Sequence, residues 1–208
     1  KKQGTFIVED VTHSLFSDYK RYCENDFYIG SLRKWFGIPS GGFLSSRTSL
    51  INKPITENEV LIKLRAEALV LKGKYFETND EKLKEIFLNK FSDAEIILCD
   101  DRELTIKRRE NYRYLLEELE KIDLIKVLFP VLEADICPMF FPILIKGKRD
   151  QVRKELIEEK IYCPIHWPIP EQINADKYHI SFELYNSELS IPCDQRYGIE
   201  DMKRIVSA

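Results

Sequence analysis

The spacing of apolar positions changes twice along the chain. At the front, residues 5–8 and 27–29 are short apolar runs that do not alternate, and they stop at Glu9-Asp10 and Gly30-Ser31. Unbroken runs of that length predict strands buried on both faces, as in a parallel sheet. Residues 13–24 between them read as a short helix or a loop. Gly37-Ile38-Pro39-Ser40-Gly41-Gly42 is a turn signal, and residues 43–46 read as a returning strand. The middle then takes up helical spacing. Leu61, Leu64, Ala68 and Leu71 form a stripe that begins near Thr56-Glu57 and ends at Gly73. Leu83, Ile86, Phe87, Phe91 and Ala94 form a second, with Asn79 or Asp80 as its cap. Tyr112, Leu115, Leu116, Leu119 and Ile122 form a third, on a long helix over residues 101–121. Its Lys107-Arg108-Arg109-Glu110 cluster reads most simply as a solvated face, a basic substrate patch being the other reading.

From Pro130 strands and helices alternate. Residues 139–145 predict a strand, 149–160 a charged amphipathic helix, and 163–170 an extended loop stiffened by three prolines. Residues 178–184 predict a helix and 189–192 a short strand. Ile199, Met202, Ile205 and Val206 line a final helix, with Glu200 and Asp201 in its first turn. The expected organisation is a front piece of a larger α/β domain at 1–50, a mainly helical region with a long interdomain helix at 51–129, and a small α+β domain at 130–208.

Composition narrows the function. With 208 residues, 44% hydrophobic and 32% charged, the chain is globular rather than fibrous or disordered. A formal net charge of −3 argues against a general electrostatic grip on nucleic acid. No apolar run approaches the roughly 20 residues of a membrane helix. Cys23, Cys99, Cys137, Cys163 and Cys193 are odd in number, widely spaced and without a C-x-x-C pair. They predict reduced, mostly buried thiols in a cytoplasmic protein rather than a disulfide framework or zinc site. The opening Lys1-Lys2-Gln3 lacks both an initiator Met and a signal peptide, so an internal or C-terminal piece of something longer is expected.

Two segments carry candidate chemistry. In Val8-Glu9-Asp10-Val11-Thr12-His13 an acid closes a buried strand, where open α/β sheets bind ligands. Such a carboxylate holds a cation, for example a protonated pyridine nitrogen; the plain reading is an Asp that caps the following turn. In Gly30-Ser31-Leu32-Arg33-Lys34-Trp35-Phe36 a lysine follows the next strand among aromatics. Desolvation and Arg33 there favour the neutral amine that Schiff-base chemistry needs. Ser31 and Arg33 offer a hydroxyl and a guanidinium to a phosphate. The plain reading is a surface Lys-Arg pair beside a tryptophan.

An acid after one strand and, some twenty residues on, a lysine after the next resembles the core of the fold-type I pyridoxal-phosphate enzymes. Phe6 to His13 is similar to the strand-Glu-Asp-x-x-Gln/His stretch of the DegT/DnrJ/StrS sugar aminotransferases, and Leu189 to Tyr197 to their C-terminal strand, turn and last helix. The resemblance implies the C-terminal part of a fold-type I aminotransferase: a piece of the large-domain sheet plus the small α+β domain. It assigns Lys34 as the internal-aldimine lysine, Asp10 as partner of the pyridinium nitrogen, His13 as a neighbour of the ring or its 3-hydroxyl, and Ser31 as a phosphate contact. Ser31 stands three residues before Lys34, as in class V aminotransferases and desulfurases, where the sugar enzymes usually leave five. Arg33 takes the place of a desulfurase histidine. The resemblance is strong at residues 4–42 and 189–206 and thin from 50 to 130.

Its implied reaction is amino transfer on pyridoxal 5′-phosphate, from a small amino donor to a keto acceptor such as a nucleotide-linked keto-sugar for polysaccharide or secondary-metabolite synthesis. It also implies a cytoplasmic homodimer without nucleic-acid or membrane partners. Lys34 argues against the dehydratase branch, which carries histidine there. The alternatives are a class V enzyme such as a desulfurase, and a catalytically silent fragment acting as an interaction module. Cys163-Pro164-Ile165-His166 has the spacing of half a metal site without a second half, so no metal is expected. The resembling families carry an active-site loop there, which makes His166 a weak candidate for substrate contact. His179 reads as a helix-face residue without special role.

Overall fold

The computed structural model describes residues 4–18, 25–36, 41–46, 101–166 and 169–208. The two helices expected around Leu61–Leu71 and Leu83–Ala94 lie outside the described residues. The chain divides into two compact units. Lys1–Leu15 and Lys20–Cys99 make the first, Phe16–Tyr19 and Asp100–Ala208 the second.

The first unit holds a three-stranded sheet in the order β1-β2-β3, formed by β1 (Val8–Asp10), β2 (Phe27–Ser31) and β3 (Gly42–Ser46). β1 runs parallel to β2, with Val8 opposite Phe27 and Asp10 opposite Ile29. β3 returns antiparallel, with Ile29 opposite Leu44 and Ser31 opposite Gly42. The expected first strand has moved towards the C-terminus, and the cause is local. The Ile7 N–H donates to the Asp26 carboxylate at 2.7 Å, so a side chain takes the place of a ladder carbonyl. The Ile7 carbonyl in turn accepts from the N–H groups of both Asp26 and Phe27, and regular pairing starts only at Val8. The expected burial on both faces is missing among the described residues. Val8, Ile29 and Leu44 share one face and are 54%, 38% and 51% exposed. Residues 12–16 form turns, not a helix.

On β2, Gly30 lies under the ring of Phe43. A Cβ built there would stand 2.5 Å from Phe43 Cε1 and 2.7 Å from Cζ. The strand therefore needs glycine for close approach rather than for an unusual φ.

The second unit packs helices on an antiparallel sheet in the order β4-β5-β6. Its elements are α1 (Asp101–Leu119), β4 (Lys126–Val127), β5 (Phe140–Leu144), α2 (Arg149–Glu158), α3 (His179–Ser187), β6 (Glu188–Pro192) and α4 (Ile199–Ser207). The core joins Tyr112, Leu115 and Leu119 of α1 to Phe141 and Ile143 of β5, Leu189 and Ile191 of β6, and Met202 of α4. Tyr112 meets Phe141 edge-on, with ring centroids 4.6 Å apart, and donates its hydroxyl to the Phe129 carbonyl at 2.7 Å. Burying its apolar stripe makes α1 part of this unit, where the sequence suggested a link between domains.

The basic cluster on α1 is not a solvated face. Arg108 is 2% exposed; its Nε donates to Gln195 Oε1 at 2.7 Å, and its Nη1 donates to the Pro138 and Met139 carbonyls at 3.1 and 3.2 Å. Arg109 donates to the Glu133 and Ile136 carbonyls. The loop ahead of β5 runs along α1 with its carbonyls turned inward, and the two guanidinium groups supply the donors that buried carbonyls require. Asn111, also buried, donates to the carbonyls of Cys193 at 3.3 Å, Asp194 at 3.2 Å and Tyr197 at 3.0 Å. Within that turn, Arg196 forks onto the Asp194 carboxylate with two bonds of 2.8 Å.

Helix ends in this unit follow from side chains and local geometry. Lys160, at φ 62°, stops α2, and the Ile161 N–H closes back on the Leu156 carbonyl at 2.8 Å. Arg149 holds the Tyr185 and Glu188 carbonyls where α3 gives way to β6. The Gly198 N–H at the start of α4 donates to the Asp201 carboxylate at 2.9 Å.

Candidate functional site

The candidate residues of the first unit lie at one edge of its sheet. Because Asp10 pairs with Ile29 and side chains alternate along a strand, Asp10, Ile29 and Ser31 share a face. The Val11 N–H continues the pairing onto the Ile29 carbonyl at 2.9 Å, which fixes the C-terminal ends of β1 and β2 side by side. Beyond β2 the chain makes one tight turn of 3-10 helix, Leu32–Lys34. Such a turn rises about 2 Å per residue and brings positions three apart to the same side, so Ser31 and Lys34 are separated by about 6 Å along it. The Leu32 N–H donates to the Gly41 carbonyl at 3.1 Å, which binds this turn to the chain entering β3.

Thr12 draws these pieces together, and the sequence reading gave it no role. Its N–H donates to Asp10 Oδ1 at 2.9 Å. Its Oγ1 accepts the Ser31 N–H at 3.0 Å. Its carbonyl accepts the Trp35 indole N–H. The Thr12 hydroxyl first and then the Thr12 N–H lower the Asp10 pKa below the ordinary aspartate value, with a smaller electrostatic pull from His13. The expected cap and the expected charged site are thus the same carboxylate: Asp10 caps the turn, and the same neighbour lowers its pKa. The one signal available in the sequence was the Asp-x-Thr spacing, the pattern of an Asx-type turn.

The remaining candidates are less gathered. His13 is exposed on the turn after β1. Lys34 is exposed, and Trp35 beside it is the buried member of the pair at 2%. The burial on which a neutral Lys34 amine was expected is therefore missing among the described residues. The indole turns inward to reach the Thr12 carbonyl and leaves the lysine outside. His166 belongs to the second unit; its ring lies against Phe140, centroids 4.9 Å apart, and its buried Nε2 makes no hydrogen bond. Cys163, the other half of the C-x-x-H spacing, is buried, and burial pushes its thiol pKa up to about 12. Among the described residues no group of three or more His, Cys, Asp or Glu is placed to hold a metal ion. None of the described helices is long and apolar enough to cross a membrane.

No protein-family model and no curated protein matches this chain. Solved structures do. The Helicobacter pylori aminotransferase PseC, of pseudoaminic acid biosynthesis, superposes with a TM-score of 0.56 at 16% identity, over 96% of this chain and 57% of that one. A putative sugar aminotransferase from Streptococcus pneumoniae, in its PLP form, gives 0.58 at 13%, over 97% and 56%. A DegT/DnrJ/EryC1/StrS aminotransferase from Brucella abortus gives 0.54 at 18%, over 97% and 56%. This chain therefore has the mixed α/β fold of part of a DegT/DnrJ/EryC1/StrS-type sugar aminotransferase, spanning a little over half the length of the structures it resembles.

Proposed function

We propose that the chain is the C-terminal part of a pyridoxal-phosphate-dependent aminotransferase that passes an amino group from a small donor to a keto acceptor; the similarity to sugar aminotransferases supports a keto-sugar, and the family resemblance of the sequence implies a nucleotide-linked one. The observation that carries this reading is the assembly around Thr12, which joins an ionised Asp10 at the end of one parallel strand to the Ser31–Lys34 turn at the end of the next. The residues present fit the cofactor's chemistry. A carboxylate whose pKa is lowered by Thr12 suits a protonated pyridine nitrogen, Ser31 offers a hydroxyl to the phosphate, and Lys34 offers an amine.

When bound, pyridoxal phosphate supplies an aldehyde that condenses with amines and a ring that accepts electrons. In this reading Lys34 would hold the cofactor through its amine and, when free, would move a proton at the donor carbon. Asp10 would keep the ring nitrogen protonated. Ser31 would anchor the phosphate, and His13 would border the ring. His166, with its unbonded Nε2, is a substrate contact. The active protein is a homodimer.

Two variants of the full-length protein test this together. Lys34→Ala abolishes the visible absorbance of bound cofactor and the half-reaction with an amino donor. Asp10→Asn keeps the cap, since Asn caps as well as Asp, and so leaves cofactor bound and the melting temperature little changed while single-turnover conversion to the pyridoxamine form falls by orders of magnitude. Wild-type turnover in either variant removes that residue from the site. A desulfurase would need an accessible thiol; among the described residues the cysteines, Cys137, Cys163 and Cys193, are all buried, while Cys23 and Cys99 lie outside the described residues. A silent fragment would show no cofactor absorbance in the wild type.

A further inference from the structure

Thr12 uses three groups at once, and two of them are backbone groups that any residue would supply. Only the hydroxyl is particular to the side chain. It accepts the Ser31 N–H at 3.0 Å, while the N–H of the same residue holds Asp10 Oδ1 at 2.9 Å. Those two partners belong to different strands. One is the last residue of β1 and the other the last residue of β2, the residue from which the Leu32–Lys34 turn starts. Between the strand ends the ladder has already run out, since its last backbone bond is Val11 to Ile29. Beyond that point Thr12 is a bridge, through its N–H from the carboxylate of one strand and through its hydroxyl to the backbone of the other.

We infer that Thr12 is a positioning residue whose hydroxyl completes the tie between the Asp10 carboxylate, held by its N–H, and the Ser31–Lys34 turn, so that the contacts to the cofactor ring and to its phosphate are held at one fixed spacing. The inference rests on the pyridoxal-phosphate reading of this edge. Thr12 itself touches neither the cofactor nor the substrate. Its effect runs through Asp10, whose orientation it sets, and through Ser31, whose backbone it pins. A rigid cofactor gains affinity from groups already set at its own spacing, because little ordering remains to be done on binding. Losing the acceptor of the Ser31 N–H at this point, and with it the spacing that it fixes, corresponds to about tenfold in affinity.

The test compares Thr12→Val, which keeps the shape and removes the hydroxyl, with Thr12→Ser, which keeps the hydroxyl, in the full-length protein. Amide exchange at Ser31 is read first, without cofactor. Thr12→Val speeds it by about tenfold or more, because the N–H has lost its acceptor, and Thr12→Ser leaves it protected. Pyridoxal 5′-phosphate is then titrated by its visible absorbance, with the melting temperature measured alongside. Thr12→Val weakens binding by about tenfold, Thr12→Ser restores it, and the melting temperature changes too little to account for the loss. A purely structural threonine behaves differently: the melting temperature falls while affinity below the transition stays at the wild-type value, and that result overturns the inference. Unchanged Ser31 exchange in Thr12→Val overturns it too. If Thr12→Val fails to fold, Thr12→Ala removes the same hydroxyl with less bulk and is judged by the same readings. Failure of the wild type to take up pyridoxal phosphate is a separate result; it refutes the proposed function and with it the positioning role, whatever the exchange at Ser31.

Discussion

Gly30→Ala is the sharpest probe of how the sheet of the first unit is put together. In an open strand this change stabilises, because glycine loses more conformational freedom on folding than alanine, by about 0.5–1 kcal/mol. Here the new Cβ meets Phe43 Cε1 at 2.5 Å and Cζ at 2.7 Å. Carbon atoms pack at about 3.5–4 Å, so the ring must retreat by about 1 Å or swing off the strand. The atoms in the way are at the tip of a side chain, which keeps the cost towards the lower end of the roughly 1–3 kcal/mol typical of overpacking. The expected outcome is a net loss of about 0.5–1 kcal/mol, opposite in sign to the propensity effect. At an m value of about 2 kcal/mol/M that lowers the urea midpoint by about 0.25–0.5 M. Tryptophan emission in a Trp167→Phe background, where Trp35 alone reports, follows the transition. Phe43→Ala removes the obstacle, so Gly30→Ala becomes neutral or stabilising when added to it. The double-mutant cycle then returns a coupling of about 1 kcal/mol or more between the two positions. Additive effects, or a stabilising Gly30→Ala in the wild type, would refute the packing argument. The loss is also felt at the site, because β2 leads straight into Ser31 and the Lys34 turn.

Two further outcomes concern the second unit. Arg108→Met removes the donors of two inward-facing carbonyls and of Gln195; at roughly 1–3 kcal/mol per buried group left unpaired, it lowers the stability of this unit by about 3 kcal/mol or more in chemical denaturation, whereas Lys107→Met moves it by less than about 0.5 kcal/mol. For alkaline pH, burial, and secondarily the Cys193 charge, raises Tyr112 from 10.0 to about 12. Burial likewise lifts Cys163 and Cys193 from 9.0 to about 12. Folded-state values raised above unfolded ones mean stability that is complete below the unfolded values and lost as pH climbs through the folded ones. The unfolding midpoint should hold up to about pH 9 and then fall until about pH 12, and Tyr112→Phe should remove the last tyrosinate step from the ultraviolet absorbance.

Much of the architecture was legible because it is written in periodicity. The stripes of α1 and α4 state which way each helix faces, and the apolar runs of β2, β5 and β6 mark strands without saying which face is covered. β4 escaped because Lys126–Val127 is too short to show any period; it exists by pairing with β5. The start of β1 was misplaced because apolar character cannot reveal that Asp26 takes over a ladder position. Arg108 looked like surface because charge usually is; what buries it is a loop of inward carbonyls more than twenty residues away in sequence. At the candidate site, the carboxylate, serine and lysine stood out through their residue types and spacing. Thr12 did not, because its significance lies in which atoms it reaches, and two of those bonds are made by its backbone.

The three carbonyls that converge on Asn111 set a limit on substitution at that position. Its amide nitrogen carries two hydrogens and faces the oxygens of Cys193, Asp194 and Tyr197. The three bonds therefore share two protons, and the side chain serves as a purely electropositive plug in a ring of oxygen. An ionised aspartate has the same size and shape but presents only oxygen there, so deamidation, a change of a single heavy atom, would replace three attractions by repulsion, or force the carboxyl to take up a proton and keep one bond of the three. The turn between β6 and α4 is thus held by the sign of one group rather than by its volume.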